Sequence, residues 1–365
     1  MSGLPTAVPG LADRLRALYD TRYDIFHKLF TLGLPVAVDE LARVDGLAGV
    51  AGVAGVADTL LAANMVEPDD AVLVCPFRIA RLANDFLVTD RPEYPGVDRV
   101  LYLSDNESLL RARTLPRCDG LRVLDLGSGS GVQAVAAYRR GAAAVTSIDL
   151  NPRAIALTRF NLAVNGLPTD DVRLVPLAEF QPEQRYDVLV NNPPFVPVPP
   201  GTRFMTSGAG GIDGLDFVRA LIARLPELVH DRTAICLVSL SPGTRQLSEL
   251  EALLLDHLGD RPMALHVARI FPRPSPIADS LAPFAGQHDV AGWAAKLAAR
   301  GYTHLHNMLL TALPAAVPEF HRTVLHPAVQ EHPGNTGSVD WAGLYAEIRL
   351  ALEMAHKVMA NSAAR

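Results

Sequence analysis

Four consecutive residues in the middle of the chain, Asn192-Pro193-Pro194-Phe195, could bind and orient a planar nitrogen group. They follow an apolar run, Tyr186 to Asn191, which predicts a buried strand. Two successive prolines remove two N–H donors and stiffen the backbone, so the Pro193 carbonyl stays free to accept a hydrogen bond. The Asn192 side-chain oxygen is a second acceptor, and Phe195 offers a flat apolar face.

Two acceptors beside a flat wall suit a planar group that carries an NH2. Such a nitrogen is a weak nucleophile because its lone pair is delocalised. When both hydrogens are held, the lone pair turns toward the electrophile, and this orientation can be worth up to roughly 7–11 kcal/mol in ideal cases. The tetrapeptide therefore predicts a site at which a nitrogen attacks an electrophile.

A glycine-rich loop earlier in the chain predicts a cofactor site. The strand Val123 to Leu126 contains Asp125 and leads into Gly127-Ser128-Gly129-Ser130-Gly131. Glycines let the backbone turn tightly and approach a ligand, and the following helix points its N-terminus at the same place. The G-x-G-x-G spacing differs from the G-x-G-x-x-G that a dinucleotide prefers. Asp149 ends the next strand, where a carboxylate can accept both hydroxyls of a ribose.

Asp125 to Gly131, taken with Asp149, resembles motifs I and II of class I S-adenosylmethionine-dependent methyltransferases. The resemblance implies S-adenosylmethionine as cofactor, with the loop serving its methionine part and Asp149 its ribose. Family members often have an acid after the third strand that binds the adenine amine. Ala178 stands at that position here, so either Glu179 substitutes or backbone groups alone meet the amine. The predicted cofactor-binding residues are Asp125, Gly127, Ser128, Gly129, Gly131, Asp149, Leu150, Glu179 and Asn192.

The (N/D)PP(Y/F) pattern at residues 192–195 is similar to that of N-methyltransferases acting on amide or exocyclic amine nitrogens. The resemblance implies Asn192, Pro193 and Phe195 as catalytic residues. Because the sulfonium is already activated, neither a metal nor a covalent nucleophile is needed. Two further segments, Gly210 to Arg219 and Tyr102 to Leu110, resemble protein-glutamine N-methyltransferases of the release-factor type. The resemblance spans about residues 100–242 and leaves out both the N-terminal part and the tail.

The net charge of −6 bears on the acceptor. Proteins that bind nucleic-acid phosphates usually carry a basic surplus, so a protein side-chain amide or a small molecule is favoured over nucleic acid. Three alternatives remain open: other chemistry with S-adenosylmethionine, such as its cyclisation; methylation of adenine in nucleic acid; and a DNA-binding regulator built on residues 10–92.

Alternating strands and helices predict an α/β fold, a seven-stranded Rossmann-like sheet of the class I methyltransferase type, over residues 100–313. The predicted strands are Arg122 to Leu126, Val145 to Asp149, Val172 to Val175, Val188 to Asn191, Ala234 to Leu240, His266 to Phe271 and Leu305 to Thr311. The predicted helices are Val132 to Arg140, Pro152 to Asn165, Ser248 to Leu258 and Val290 to Arg300. Residues 93–99 read as a linker, and 314–365 as an extension that ends in a helix, Trp341 to Ala360.

Residues 1–92 predict a smaller helical, winged-helix-like domain. Helices are expected at Leu11 to Leu18, Tyr23 to Leu32 and Gly46 to Met65, followed by β-rich runs at Ala71 to Ile79 and Phe86 to Thr89. Because 46–65 contains no Lys or Arg, a recognition helix there could not grip phosphates. The domain is therefore interpreted as a substrate lid or a dimerisation module, the latter making the protein a homodimer.

Composition indicates the class of protein and its cellular location. A hydrophobic content of 49% with 20% charged residues is ordinary for a globular protein and excludes a disordered one. No apolar run approaches the roughly 20 residues that span a bilayer, and the N-terminus lacks a signal-peptide pattern. Cys75, Cys118 and Cys236 are far apart, which suits free thiols in the cytoplasm. His304 and His306 could share a strand face, but no metal site is predicted.

Overall fold

The computed structural model of the protein describes residues 3–45, 55–101, 103, 107–259, 261–269, 274–286, 288–324, 329–330 and 338–339. Within these ranges, short helices and small antiparallel sheets come first, and a large mixed sheet flanked by helices follows. No helix in the same ranges is long and apolar enough to cross a lipid bilayer. The helix expected at Trp341 to Ala360 lies outside the described residues.

The N-terminal helices are short. They are α1 (Leu11–Thr21), α2 (Tyr23–Phe26), which continues as a π-helix (His27–Leu32), α3 (Val38–Asp45) and α4 (Val56–Ala62). The helices predicted at 11–18 and 23–32 are confirmed, and the second ends where Gly33 takes a left-handed φ of 73°. Of the helix predicted over 46–65, residues 46–54 lie outside the description, and α4 forms within the rest.

Five short strands complete the N-terminal part: β1 (Val36–Ala37), β2 (Glu67–Asp69), β3 (Val72–Val74), β4 (Phe77–Leu82) and β5 (Asp85–Asp90). β3 lies between β1 and β2 and is antiparallel to both, whereas β4 and β5 form a separate hairpin. The single β-run predicted from Ala71 to Ile79 is therefore wrong. It breaks at Cys75-Pro76, where proline has no N–H to donate to a sheet.

The large sheet carries the predicted doubly wound pattern. Its strands are β6 (Arg122–Leu126), β7 (Ala144–Asp149), β8 (Val172–Leu174), β9 (Tyr186–Asn191), β10 (Val229–Gly243), β11 (Met263–Arg269), β12 (Ser275–Pro276), β13 (His304–Pro314) and β14 (Glu319–Val324). The order is β14-β11-β13-β10-β9-β6-β7-β8, with β12 paired to β13. Strands β6 to β10 are parallel, and β13 runs antiparallel to β10 and β11.

The strand count is higher than predicted. Over the described residues the sheet has nine strands, of which β6–β11 and β13 coincide with the seven expected. β12 adds two residues to β13, and β14 pairs in parallel with β11. β14 also lies in the segment after residue 313 that the sequence assigned to an extension. Two further short strands, β15 (Val329–Gln330) and β16 (Ser338–Val339), pair with each other.

Helices cover both faces of the sheet. They are α5 (Glu107–Thr114), α6 (Val132–Arg139), α7 (Pro152–Val164), α8 (Asp216–Leu228), α9 (Glu249–Leu258), α10 (Ile277–Leu281), a 3-10 turn (Ala282–Phe284) and α11 (Val290–Ala298). The local sequence determines where several of these helices begin. Asn151 caps α7 by accepting the Arg153 amide, and Ser248 and Glu251 form a reciprocal capping box at α9.

Helix α7 joins the N-terminal part to the sheet. Leu157 and Phe160 of α7 are buried in the same apolar cluster as Leu15 and Phe86. Each such buried side chain contributes roughly 1.5–3 kcal/mol relative to exposure. The two parts of the chain therefore share a core.

Side-chain amides reinforce this junction. The Asn161 amide donates to the Val88 carbonyl and accepts from the Val88 amide, both at 2.8 Å. Asn165, one turn later, donates to the Phe86 carbonyl at 2.8 Å and accepts from the Phe86 amide at 3.0 Å. The two side chains thus pair with the backbone N–H and C=O groups on the outer edge of β5, as a neighbouring strand would.

A buried ion pair fixes the segment that the sequence reads as a linker. Asp90 is fully buried and accepts three hydrogen bonds of 2.6–3.0 Å from the Arg153 guanidinium. It also accepts from the Val100 amide at 2.8 Å. The Arg153 guanidinium lies 4.3 Å from the centre of the Tyr94 ring. Residues 91–99 therefore lie against the body of the protein at both ends.

Candidate cofactor and acceptor site

The glycine loop after β6 turns sharply at the edge of the sheet. Gly127, Gly129 and Gly131 have φ values of 65°, 54° and 76°, which disfavour any side chain. A Cβ at Gly131 would also lie 3.0 Å from the Thr158 side chain of α7. The amides of Gly127 and Ser128 donate to the Ile148 carbonyl at 2.9 and 3.0 Å. The loop is thereby attached to the end of β7, where the second predicted acid stands.

Asp149 is held by backbone amides on both oxygens. One oxygen accepts from the Gly129 amide and the other from the Asn151 amide, each at 2.9 Å. The carboxylate lines a cavity, and burial raises its pKa. A carboxylate has about four lone-pair sites, so each oxygen keeps the capacity to accept a ribose hydroxyl. Asp149 thus stands where the sequence predicts the ribose acid.

Asp125 is placed differently from Asp149. It is fully buried at the end of β6, is not among the residues that line the cavity, and has the Ser147 hydroxyl at 3.5 Å. Its second oxygen has no hydrogen-bond partner among the described residues. Burial, and then the charge of Asp149, raise its pKa to about 7. Asp125 therefore lies beneath the cofactor loop, with no contact to the cavity itself.

The cavity brings most of the predicted residues together. From the predicted set it is lined by Gly127, Ser128, Gly129, Asp149, Leu150 and Asn192. Residues that the sequence did not single out for the site include Arg99, Leu101, Ser108, Gln133, Val175, Leu177 and Phe217. Ser108 stands in the segment that resembles the cofactor-capping helix, so a signal for it existed. Phe217 lies in the Gly210 to Arg219 segment that resembles the glutamine methyltransferases, and α8 brings it to the cavity.

Five predicted residues do not line the cavity: Asp125, Gly131, Glu179, Pro193 and Phe195. Glu179 is exposed and lies away from its wall, whereas Val175, Pro176 and Leu177 line it just before Glu179. Phe195 is half-buried and Gly131 faces α7, and neither lines the cavity. The placement of Glu179 gives no support to a contact with the adenine amine. The backbone of residues 175–177 lines the cavity and remains the alternative partner for the adenine amine.

Asn192 presents an unused acceptor beside the cavity. It follows β9 at the carboxyl edge of the sheet, and its Nδ2 donates to the Ser108 hydroxyl at 2.6 Å. Its Oδ1 is buried and has no partner among the described residues. No described residue donates to the Pro193 carbonyl either. A buried polar atom without a partner is unusual in a native fold and points to a ligand.

A second loop holds the backbone of residues 193–198 in place. The Val196 amide donates to the Gly208 carbonyl at 2.8 Å, and the Gly210 amide donates to the Val196 carbonyl at 2.9 Å. A Cβ at Gly214 would lie 2.2 Å from the Phe195 carbonyl oxygen. The glycines of the predicted Gly210 to Arg219 motif are therefore required for close packing against the tetrapeptide.

Asp213 holds that second loop in place through hydrogen bonds to two arginines. It is fully buried and accepts two bonds from Arg219, at 2.9 and 2.7 Å, and one from Arg300 at 2.8 Å. Although burial opposes it, the bonds from Arg219 and the two positive charges hold the pKa of Asp213 below its usual value. The acid and the arginine of the motif thus position the loop and do not reach the cavity.

The histidines singled out in the sequence have other partners. His306 is buried and its Nε2 lies 2.7 Å from the Thr244 carbonyl, while His304 Nδ1 lies 2.8 Å from the Thr303 hydroxyl. Across the described ranges, no three His, Cys, Asp or Glu side chains are grouped so that they could hold a metal ion. His326 and His332 lie outside the described residues.

The arrangement of β6, β7 and β9 around one cavity is that of a Rossmann-like cofactor domain. Residues 103–199 match the family Methyltransferase small domain. The chain is 35% identical over 158 residues to the release factor glutamine methyltransferase of Geobacter sulfurreducens, which covers 40% of this chain and 52% of that protein. It is 38% identical over 127 residues to the ribosomal protein uL3 glutamine methyltransferase of Bradyrhizobium diazoefficiens, covering 32% and 40%.

A solved structure also resembles the chain. The M. jannaschii TYW2 structure in complex with AdoMet aligns over 67% of this chain and 92% of that one, with 12% identity and a TM-score of 0.40.

Residues 103–199 therefore match a methyltransferase family, and this match, together with the two relatives, supports S-adenosylmethionine as the methyl donor. The two relatives named above are glutamine methyltransferases, so the chain is similar to that group. The chain spans only 52% and 40% of the length of the two relatives named above.

Proposed function

We propose that the protein transfers the methyl group of S-adenosylmethionine to the nitrogen of a planar amide or amine. The observation that carries this proposal is the Oδ1 of Asn192, a buried acceptor without a partner beside the cofactor cavity. The Pro193 carbonyl, to which no described residue donates, supplies the second acceptor. An NH2 group has two hydrogens and therefore matches two acceptors.

The chain would act by orientation. S-adenosylmethionine supplies an electrophilic methyl group on a positively charged sulfur. Asn192 and Pro193 accept the two N–H bonds of the acceptor and turn the nitrogen lone pair toward that methyl group. As the N–C bond forms, the S–C bond breaks and its electron pair goes to sulfur, and the nitrogen then loses one proton to water. The Ser108 hydroxyl accepts from the Asn192 amide nitrogen, which leaves Oδ1 as the atom available to the methyl acceptor.

The favoured acceptor is a protein side-chain amide, with a small molecule as the second choice. Two relatives are named as methyltransferases of glutamine in a release factor and in ribosomal protein uL3. The net charge of −6 disfavours a nucleic-acid acceptor. With half-buried Phe195 outside the cavity wall, Phe217 is the aromatic side chain that could flank the acceptor group there.

Residues 1–92 are proposed to be a winged-helix-like lid or dimerisation module. Their order of helices, β1, further helices and the β2–β3 pair supports this, because β3 joins β1 and β2 in one antiparallel sheet. Three buried free cysteines are consistent with a cytoplasmic protein. Residues 93–99 are proposed as the connection, 100–313 as the catalytic domain and 314–365 as an extension of it.

The test is an incubation of the full chain with methyl-labelled S-adenosylmethionine and candidate acceptors, followed by mass spectrometry. Glutamine-containing peptides, whole release factors, and adenine-containing oligonucleotides form the acceptor set. Label on an amide nitrogen, with S-adenosylhomocysteine as co-product, supports the proposal. Methylthioadenosine would indicate different chemistry, label on adenine would indicate a nucleic-acid acceptor, and operator binding without turnover would indicate a regulator.

A further inference from the structure

A second cavity opens at the carboxyl edge of the sheet. Its volume is about 190 Å³, whereas a single water needs roughly 10–15 Å³. Its polar wall consists of Arg269, Ser275, Ser280, His306 and Asn307. These residues come from β11, β12, α10 and β13, in the part of the chain that lies beyond the family match at 103–199.

This second cavity stands on the same edge as the proposed acceptor site. In the β10–β9 register Leu237 is opposite Asn191, and in the β10–β13 register Leu240 is opposite Asn307. Three residues along β10 amount to roughly 10 Å, so the cavity lies beyond the end of β9 in the strand direction. The Asn307 amide donates to Glu107 at 3.2 Å, and Glu107 precedes the Ser108 that holds Asn192.

Unpartnered buried atoms are concentrated at this cavity. Arg269 Nε, His306 Nδ1 and Asn307 Oδ1 are all buried, and none has a partner among the described residues. The cofactor cavity shows the same feature at Arg99, Gln133 and Asn192. Because leaving such groups unpaired is unfavourable, their clustering at a cavity indicates a bound ligand there too.

The charges at the cavity favour an anionic group beside Arg269. Glu251 is fully buried and binds two guanidinium groups, that of Arg269 at 3.3 Å and that of Arg322 at 2.8 Å. One carboxylate cannot neutralise two cations, and Arg269 is only 8% exposed. A ligand carboxylate would complete the charge balance and receive a charge-assisted hydrogen bond.

The remaining groups favour an N–H donor on the same ligand. Burial lowers the pKa of His306, so its ring is neutral near pH 7. Its Nε2 lies 2.7 Å from the Thr244 carbonyl and must donate there, which leaves Nδ1 as an acceptor. Asn307 Oδ1 is a second acceptor. The wall thus combines one cationic donor with two acceptors.

We propose that this second cavity binds the carboxylate of an amino-acid-type end of the methyl acceptor, together with the N–H beside that carboxylate. Arg269 binds the carboxylate, and His306 and Asn307 accept from the N–H. The assignment to the acceptor rests on the proposed methyl transfer, whereas binding by the cavity does not. The amino-acid end is either that of a free amino acid or the C-terminal residue of a peptide.

The binding experiment is an NMR titration of the full chain with four small probes: glycine, N-acetylglycine, acetate and glycinamide. We expect glycine or N-acetylglycine to bind more tightly than acetate, and glycinamide, which has no carboxylate, not to bind. Glycine as the tighter ligand indicates a free amino acid, and N-acetylglycine indicates a peptide end. Equal binding of glycinamide would overturn the proposal.

Variants locate the probe. Arg269→Met should weaken binding by about tenfold or more, the value of one hydrogen bond to a charged group. Arg322→Met is the matched control, because it removes a cation from the same Glu251 but does not line the cavity. If Arg269→Met fails to fold, Ser280→Leu fills the cavity from its rim and should block binding. Binding that survives both cavity variants, or that S-adenosylmethionine displaces, refutes the site.

The acceptor assignment has its own measurement. Glutamine peptides are compared in pairs that end in a free carboxylate or in an amide. A higher kcat/KM for the carboxylate member, lost in Arg269→Met and kept in Arg322→Met, supports the assignment, and equal values overturn it. If the probes bind and no peptide is methylated, the proposed function fails while the binding site stands.

Discussion

Replacing Asn192 with alanine tests the proposed nitrogen clamp most directly. The substitution removes the unpartnered Oδ1 and leaves the glycine loop and Asp149 untouched. One of the two hydrogen-bond acceptors would be lost, so one N–H of the group to be methylated would no longer be held. Removing one oriented polar group from an active site lowers kcat by roughly 100- to 1,000-fold, or about 2.7–4 kcal/mol. The affinity for S-adenosylmethionine should stay nearly unchanged.

Two matched variants separate the oxygen from the amide that holds it. Asn192→Asp keeps an acceptor oxygen, and the Ser108 hydroxyl can donate to its other oxygen, so much of the activity should remain. Ser108→Ala removes only the partner of Nδ2 and should lower kcat by about fivefold, the value of one neutral hydrogen bond.

The assay is single-turnover methyl transfer with labelled cofactor, alongside calorimetric titration of S-adenosylmethionine. If Asn192→Ala retains kcat within about tenfold of the wild type, the clamp reasoning is refuted. The same conclusion follows if Ser108→Ala is as damaging as Asn192→Ala, because the partner would then matter more than the acceptor oxygen.

Three further predictions concern the loop, the acids and their titration. Asp149→Ala should raise the Kd for S-adenosylmethionine by about tenfold or more, because a carboxylate hydrogen bond is worth about 1.5–3 kcal/mol, and an unchanged Kd in calorimetry would exclude it from the ribose site. Because the pKa of Asp125 is raised to about 7, its contribution to the free energy of unfolding falls as pH rises from about 4 to 7 and then levels off. Asp125→Asn should flatten that part of the stability–pH curve in a series of denaturant titrations. An unaltered slope of the curve contradicts the assignment. Gly214→Ala should lower kcat strongly without changing cofactor affinity, since its Cβ would lie 2.2 Å from the Phe195 carbonyl oxygen. Gly201→Ala has a similar φ of 82° but open space around it, so equal losses in the two variants would reduce the effect to backbone strain.

The cofactor half of the site was predictable because its residues are adjacent in sequence to strand ends. Asp149, Gly127 and Gly129 follow apolar strands, and the carboxyl ends of parallel strands meet at one edge of a sheet. The acceptor Asn192 follows the same logic at the end of β9. Local sequence therefore predicts which of these residues the structure places around one cavity.

Side-chain direction and long-range pairing were not predictable in the same way. The direction of Phe195 depends on packing against a loop more than ten residues later, and Glu179 lies on a turn that faces solvent. The sequence does not predict helix α8, because Pro226 lies inside it and glycines precede it. The sequence predicts an extension where β14 forms, because the pairing of β14 with β11 leaves no local signal.

The amides of Asn161 and Asn165 along β5 have a consequence for dissecting the molecule. A fragment starting near residue 100 would lose the hairpin and uncover both amides together with the apolar side chains of Leu157 and Phe160. Such a surface is prone to aggregation, even though the fragment would retain all of the glycine loop. A fragment that remains soluble should keep β4 and β5 and also α1, whose Leu15 shares that core. Its cut point therefore follows from hydrogen bonding and packing and not from the domain boundary that the sequence predicts.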